Sequence, residues 1–218
     1  MKHIFLHIVK TAGTSLRQTI RENYTDSEKY ERDEDNFNWS ELTTKEQEEI
    51  KFIFGHLHFG IHEQVKGKFK YITFLRDPVE RVLSYYYYIL ENPDNPAYSL
   101  VATKTLDQFI AEGAKNITSN QQAKILCGPR DQANFDVACK NIQNHFSFVG
   151  LVEHYEKSLL FMSKQLKWKN TTCHNLNVTA NKYTCSPSQR KAIEDLNQID
   201  IQLYNWVRQR FHQQTQNV

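Results

Sequence analysis

At 218 residues the chain has the length of one domain, and 39% hydrophobic and 12% aromatic residues supply enough apolar side chain to exclude a wholly disordered polymer. A net charge of +2 excludes a general nucleic-acid binder and leaves room for a local basic pocket that takes a small anion. No stretch reaches the roughly 20 apolar residues that cross a bilayer.

The chain opens MKHIFLHIVK, too short an apolar run for a signal peptide, broken by His3 and His7 and lacking a small-residue cleavage site. Residues 3–9 read instead as a buried strand, followed by a helix over 14–23. Residues 25–39 are acidic and aperiodic and read as a surface loop. A short helix over 44–50 precedes a strand at 52–55, and KYITFL at 70–75 is a third strand. Pro78 then starts a helix running to 90. Residues 92–96 break the pattern, and helices are predicted at 106–112, 120–126 and 135–144. FSFVGLV at 146–152 is a fourth strand and 156–166 a further helix. After a polar stretch at 169–184, Ser186-Pro187-Ser188-Gln189 opens a last helix reaching 211, with an N-cap serine, proline at the first position and glutamine at the third.

Alternating strands and helices predict a P-loop-like three-layer α/β fold, one domain over 1–218, with a central parallel sheet flanked by helices. Ligands in such sheets bind at the carboxyl ends of the strands, so the loops after Val9, Gly55, Leu75 and Val152 are the candidates. The first reads Lys10-Thr11-Ala12-Gly13-Thr14-Ser15 and joins a strand to a helix. Small residues at Ala12 and Gly13 let backbone approach an anion, Thr11, Thr14 and Ser15 add hydroxyls, and Lys10 adds charge. It is not a Walker A loop, because the lysine precedes the glycine. Taken alone it reads equally as an ordinary strand–turn–helix junction with Thr14 as the cap. After the third strand, Arg76 stands where it can grip a phosphate bidentately, and Ser84 lies two turns along the next helix. Arg76 taken alone is equally a structural arginine.

Together, KTAGTS after one strand and LRDPVERVLSYYYY after a later one resemble the carbohydrate sulfotransferases that use 3′-phosphoadenosine 5′-phosphosulfate (PAPS), most nearly the heparan sulfate 2-O- and uronyl 2-sulfotransferase branch. That family carries a 5′-phosphosulfate loop PKTA-[GS]-TS and a 3′-phosphate motif RDP-x-ER-x-x-S-x-Y. Val9 stands here in place of the proline, which loosens the loop and removes no ligand. Gly55-His56, Ile125-Leu126-Cys127-Gly128 and Phe148-Val149-Gly150-Leu151-Val152-Glu153 also fall in family order, so the likeness covers residues 3–212.

The resemblance implies transfer of the sulfuryl group of PAPS to a hydroxyl by in-line displacement, releasing adenosine 3′,5′-bisphosphate, with no metal. It implies His56 as general base, Lys10 at the leaving oxygen, residues Lys10 to Ser15 on the 5′-phosphosulfate, and Arg76 and Ser84 on the 3′-phosphate. Thr179 and Lys182 match a loop, residues 169–185, that closes over the cofactor in the family. The implied acceptor is a hydroxylated molecule, a glycan first, though near-neutral charge also suits a lightly charged glycan or another metabolite.

Rival readings are specific. His58 and His62 stand four apart with Glu63 adjacent, but no further ligand spacing supports a metal. A small-molecule kinase needs a Mg²⁺-binding carboxylate at a strand end, and only Asp77, running into proline, comes near. A non-catalytic nucleotide-binding module would lack the base, and His56 is present. Four cysteines allow three full pairings, and five Asn-X-Ser/Thr sequons matter only in a secretory pathway. As a full-length chain the protein is expected in the cytoplasm with thiols free; a Golgi lumen location requires a removed N-terminal anchor.

Overall fold

The computed structural model describes residues 1–112, 118–129, 132–173 and 184–215. Five strands form one parallel sheet: β1 (Lys2–Leu6), β2 (Lys29–Glu31), β3 (Phe52–Gly55), β4 (Phe69–Leu75) and β5 (Phe146–Leu151). Their order in space is β2-β3-β1-β4-β5, with every pairing parallel. Parallel strands covered on both faces read as continuous apolar runs, and Ile4, Phe5, Leu6, Phe52, Ile53, Phe54, Phe74 and Leu75 are fully buried accordingly.

Helices flank this sheet. α1 (Gly13–Asn23) follows β1; α2 (Thr44–Glu49) precedes β3; α3 (Pro78–Glu91) follows β4. Then come α4 (Tyr98–Val101), α5 (Leu106–Glu112), α6 (Gln121–Cys127) and α7 (Phe135–His145). After β5 lie α8 (Tyr155–Leu166), α9 (Pro187–Leu196) and α10 (Gln198–Gln214). A second buried cluster, including Val82, Tyr86, Phe109 and Ile193, joins α3, α5 and α9.

The strand order fixes where a ligand can go. From β1 the chain moves outward to β2 and returns through β3. It then crosses to β4 and β5 on the other side of β1. β1 is therefore the switch point, and the loops after β1, β3 and β4 open onto one crevice.

Three boundaries differ from the sequence reading. The first strand ends at Leu6, not at residue 9, because the chain turns into the left-handed region at Lys10 (φ 69°) and Ala12 (φ 59°). Residues 25–39 are not simply a surface loop: they contain β2 and bury Tyr30 and Trp39, which meet edge to face. The long final helix is two helices. Asn197 interrupts it, its amide donating to Ile193 O (2.9 Å) and its side-chain oxygen accepting from Asn120 N (2.9 Å).

Candidate active site

The loop after β1 is built before any ligand arrives. Thr11 is fully buried, and its hydroxyl donates to Ile8 O at 2.8 Å, so it braces the turn from within. On either side of it Lys10 and Ala12 hold positive φ, a conformation costing a non-glycine residue roughly 1–2 kcal/mol. Left-handed residues at such a turn can direct backbone N–H groups to one side, as in anion-binding backbone nests. The cap residue of α1 is Ala12, not Thr14; no side chain caps the helix and its first turn holds no acid. The dipole and N–H groups of α1 thus face the crevice uncompensated. Thr14 is exposed on this first turn, whereas Ser15 is buried. Gly13 is needed for packing: a Cβ there would lie 1.8 Å from His7 Cδ2.

Lys10 Nζ lies 4.0 Å from the centre of the Tyr88 ring, and Tyr88 projects exposed from α3. Burial, then the neighbouring Arg76 guanidinium, lower the Lys10 pKa to about 8, with Glu91 pulling the other way.

Arg76 approaches from β4, and its Nη1 donates to Lys10 O at 3.4 Å. Its main chain is held at both ends by one side chain: Gln122 Oε1 accepts from Arg76 N (3.0 Å) and Gln122 Nε2 donates to Arg76 O (2.9 Å). Gln122 is fully buried, and Asp200 anchors its helix by accepting from Gln122 N (3.1 Å) and Ala123 N (2.8 Å). Asp200 thereby caps α6 from α10, and it faces the fully buried Arg81. Burial pushes the Asp200 carboxyl upward while Arg81 pulls it down.

At the head of α3, Asp77 accepts from Val79 N (3.0 Å) and Glu80 N (3.1 Å). Glu153 accepts from Asp77 N (2.8 Å) and from Tyr204 Oη (2.9 Å). The start of α3 is therefore already satisfied by its own carboxylate. Of the two helices beginning at the crevice, only α1 offers free N–H groups, and Arg76 supplies the positive charge on the β4 side. Ser84 is buried on α3.

His56 stands at the end of β3. Its Nδ1 lies 2.9 Å from His7 O, and because a carbonyl can only accept, Nδ1 carries the proton. In the neutral ring Nε2 then keeps its lone pair, the arrangement a general base requires. The backbone N–H of His56 donates to Asp33 Oδ1 (2.7 Å) and its carbonyl accepts from Glu34 N (3.2 Å), so the segment after β2 brackets it. Gly55 permits this, since a Cβ would lie 1.9 Å from Arg32 O.

The other two histidines of this segment turn elsewhere. His58 Nδ1 pairs with Glu34, and His62 Nδ1 meets Tyr71 Oη at 2.7 Å. The structure thus brings Lys10, Ala12, Gly13, Thr14, Arg76 and His56 to one crevice and turns Thr11 inward. Thr179 and Lys182 lie outside the described residues. None of the four cysteines is in a disulfide, and burial pushes the Cys139 thiol up to about 11.

Reasoning from sequence missed His7, Gln122 and Asp200. Glu153 carried a signal as the last residue of FVGLVE; the others carried none beyond their neighbourhood.

Comparison with known proteins identifies the family of this chain. A family model described as "Sulfotransferase family" matches residues 2–207. Heparan sulfate 2-O-sulfotransferase 1 of Mus musculus is 28% identical over 141 residues, 57% of this chain and 40% of that protein. The Homo sapiens protein of the same name is 27% identical over the same shares. The chain thus spans about 40% of the length of the curated relatives it matches. Among solved structures, mouse sulfotransferase SULT7A1 complexed with PAP aligns with a TM-score of 0.42 at 14% identity, covering 89% of this chain and 62% of that one.

Proposed function

The chain belongs to the sulfotransferase family, and from that premise we propose that it transfers the sulfuryl group of PAPS to a hydroxyl of a glycan. One observation carries the reading. A preformed anion loop at an uncapped helix, a cationic strand end and a histidine with a free Nε2 converge on the sheet's switch point.

In this reading the N–H groups of α1 and the Lys10 loop hold the 5′-phosphosulfate, and Arg76 with Ser84 holds the 3′-phosphate, with Thr179 and Lys182 as further donors. His56 Nε2 takes the proton of the acceptor hydroxyl as its oxygen bonds to sulfur. The bond from sulfur to the 5′-phosphate oxygen breaks, and the Lys10 ammonium donates to that leaving oxygen as its charge grows. Adenosine 3′,5′-bisphosphate and a sulfate ester leave. A glycan acceptor is supported by the names of the curated relatives, which are heparan sulfate 2-O-sulfotransferases.

The test is transfer of labelled sulfate from PAPS to a panel of neutral and uronate-containing glycans. The wild type is expected to label at least one acceptor. His56→Ala is expected to bind adenosine 3′,5′-bisphosphate normally and to lose about 10²–10⁴ in rate, the usual contribution of general base catalysis. Full activity of His56→Ala, with chemistry limiting turnover, would remove the base from the mechanism.

A further inference from the structure

His7 is a buried titratable residue that the reaction as derived above leaves without a task. It is 6% exposed, and its Nδ1 is buried with no hydrogen-bond partner. A polar atom in that position costs stability, since an unsatisfied buried group forfeits its hydration. An apolar side chain at this position would carry no such polar atom. The contacts of the ring show what it does there.

The imidazole of His7 lies against that of His56, with centroids 4.2 Å apart and planes 24° from parallel. Behind it Phe5 stacks at 5.8 Å and 16°, so three flat rings form a pile ending at the base. The edge of the His7 ring abuts Gly13, the first residue of α1, where not even a methyl group fits. The backbone is equally fixed. His7 N donates to Gly55 O (2.9 Å), and His7 O receives the proton on His56 Nδ1 (2.9 Å). Residue 7 therefore controls two degrees of freedom of the base: its carbonyl selects the tautomer, and its ring limits rotation about the Cβ–Cγ bond of His56.

We propose that His7 is a positioning residue for His56, its stacked ring holding the imidazole in the plane that keeps Nδ1–H on the carbonyl and Nε2 toward the acceptor hydroxyl. An imidazole suits this task in a way an aliphatic side chain does not. It is flat and thin enough to pass Gly13, and it stacks offset on a second imidazole. Burial first, then His56, Arg17 and Lys10, hold its pKa well below the ordinary histidine value. His7 thus stays neutral and adds no competing charge when His56 takes a proton. This inference rests on the reading of His56 as the base.

Two measurements test it, one of which needs no turnover. In protein labelled with ¹⁵N-histidine and free of nucleotide, the His56 imidazole is expected to show a single neutral tautomer protonated at Nδ1. That signature is expected to give way to mixed tautomers in His7→Ala and to persist in His7→Phe, which keeps a flat ring. In single-turnover assays His7→Ala is expected to lose on the order of 10–10²-fold in rate, the scale of a displaced catalytic group. Its Kd for adenosine 3′,5′-bisphosphate is expected to stay at the wild-type value. His7→Phe is expected to recover most of the rate.

An unchanged His56 tautomer in His7→Ala, or a loss of nucleotide affinity in step with rate, would overturn the proposal in favour of a purely structural role. Wild-type protein that neither binds adenosine 3′,5′-bisphosphate nor transfers sulfate would refute the sulfotransferase reading instead. The tautomer measurement would still decide whether His7 orders His56.

Discussion

In the proposed reaction Lys10 has to be charged to neutralise a leaving phosphate, yet it sits where charge is disfavoured. With its pKa lowered to about 8, it is protonated at neutral pH and loses its proton within reach of ordinary assays. The sign follows from linkage. The unfolded chain holds this proton up to the ordinary lysine value of 10.5, so between about 8 and 10.5 the folded state gains stability as pH rises. Ligand binding runs the other way: affinity for adenosine 3′,5′-bisphosphate is expected to fall as pH climbs through about 8, when the ammonium is lost. Calorimetric titration of wild type and Lys10→Arg over this range checks it, because a guanidinium stays charged throughout. Matching pH slopes for the two proteins would place the titrating group elsewhere. Arg76 makes a separate claim. Arg76→Ala is expected to weaken PAPS binding by about 2–5 kcal/mol, the cost of truncating one partner of a buried charge pair. The mutant is also expected to bind PAPS and its 3′-dephosphorylated analogue alike. A retained preference for the 3′-phosphate would free Arg76 of that role.

The helices carry the side chains that hold the site still. Asp200, reaching from α10, caps α6 and answers the buried charge of Arg81. Asp200→Ala removes both at once, and breaking a buried pair from one side costs about 3–5 kcal/mol. Chemical denaturation is expected to show that loss; a change near zero would mean water already solvates Arg81. At this scale the sequence was informative wherever period and length agreed. β4, rich in β-formers, and the Ser186-Pro187 start of α9 stand as read, the serine hydroxyl accepting from Gln189 N (3.2 Å). β2 was illegible because three residues set no alternation, and its inward Tyr30 lies in an acidic stretch. The break at Asn197 was illegible because its cause is Asn120, distant in sequence. Among the candidate residues, Lys10, Arg76 and His56 could be picked out because they follow strands. Gln122 and Asp200 could not, since they act through tertiary hydrogen bonds that no spacing records.

At the scale of the whole molecule, the proposed site gathers residues from 7 to 153 at one edge of the sheet. A ligand that binds only the assembled edge must stabilise all of it. Adenosine 3′,5′-bisphosphate at a hundredfold excess over its Kd is expected to add about 2.7 kcal/mol, a rise of roughly 5–10 °C in Tm for a domain of this size. ATP with Mg²⁺ is expected to give much less, and a response to ATP alone would favour a kinase. The position of β1 has a further consequence, for the order in which the chain is made. His3 pairs with Phe52 on one side and Lys70 on the other, so the central strand leaves the ribosome well before either neighbour. Until β3 emerges, Ile4, Phe5 and Leu6 have both edges open, and until β4 emerges one edge stays unpaired. Such non-local parallel pairing closes slowly and leaves nascent chains prone to aggregate. Chains arrested before β4 are therefore candidates for chaperone capture, and a synonymous change that slows translation between β1 and β4 would lower the yield of folded protein without altering a residue.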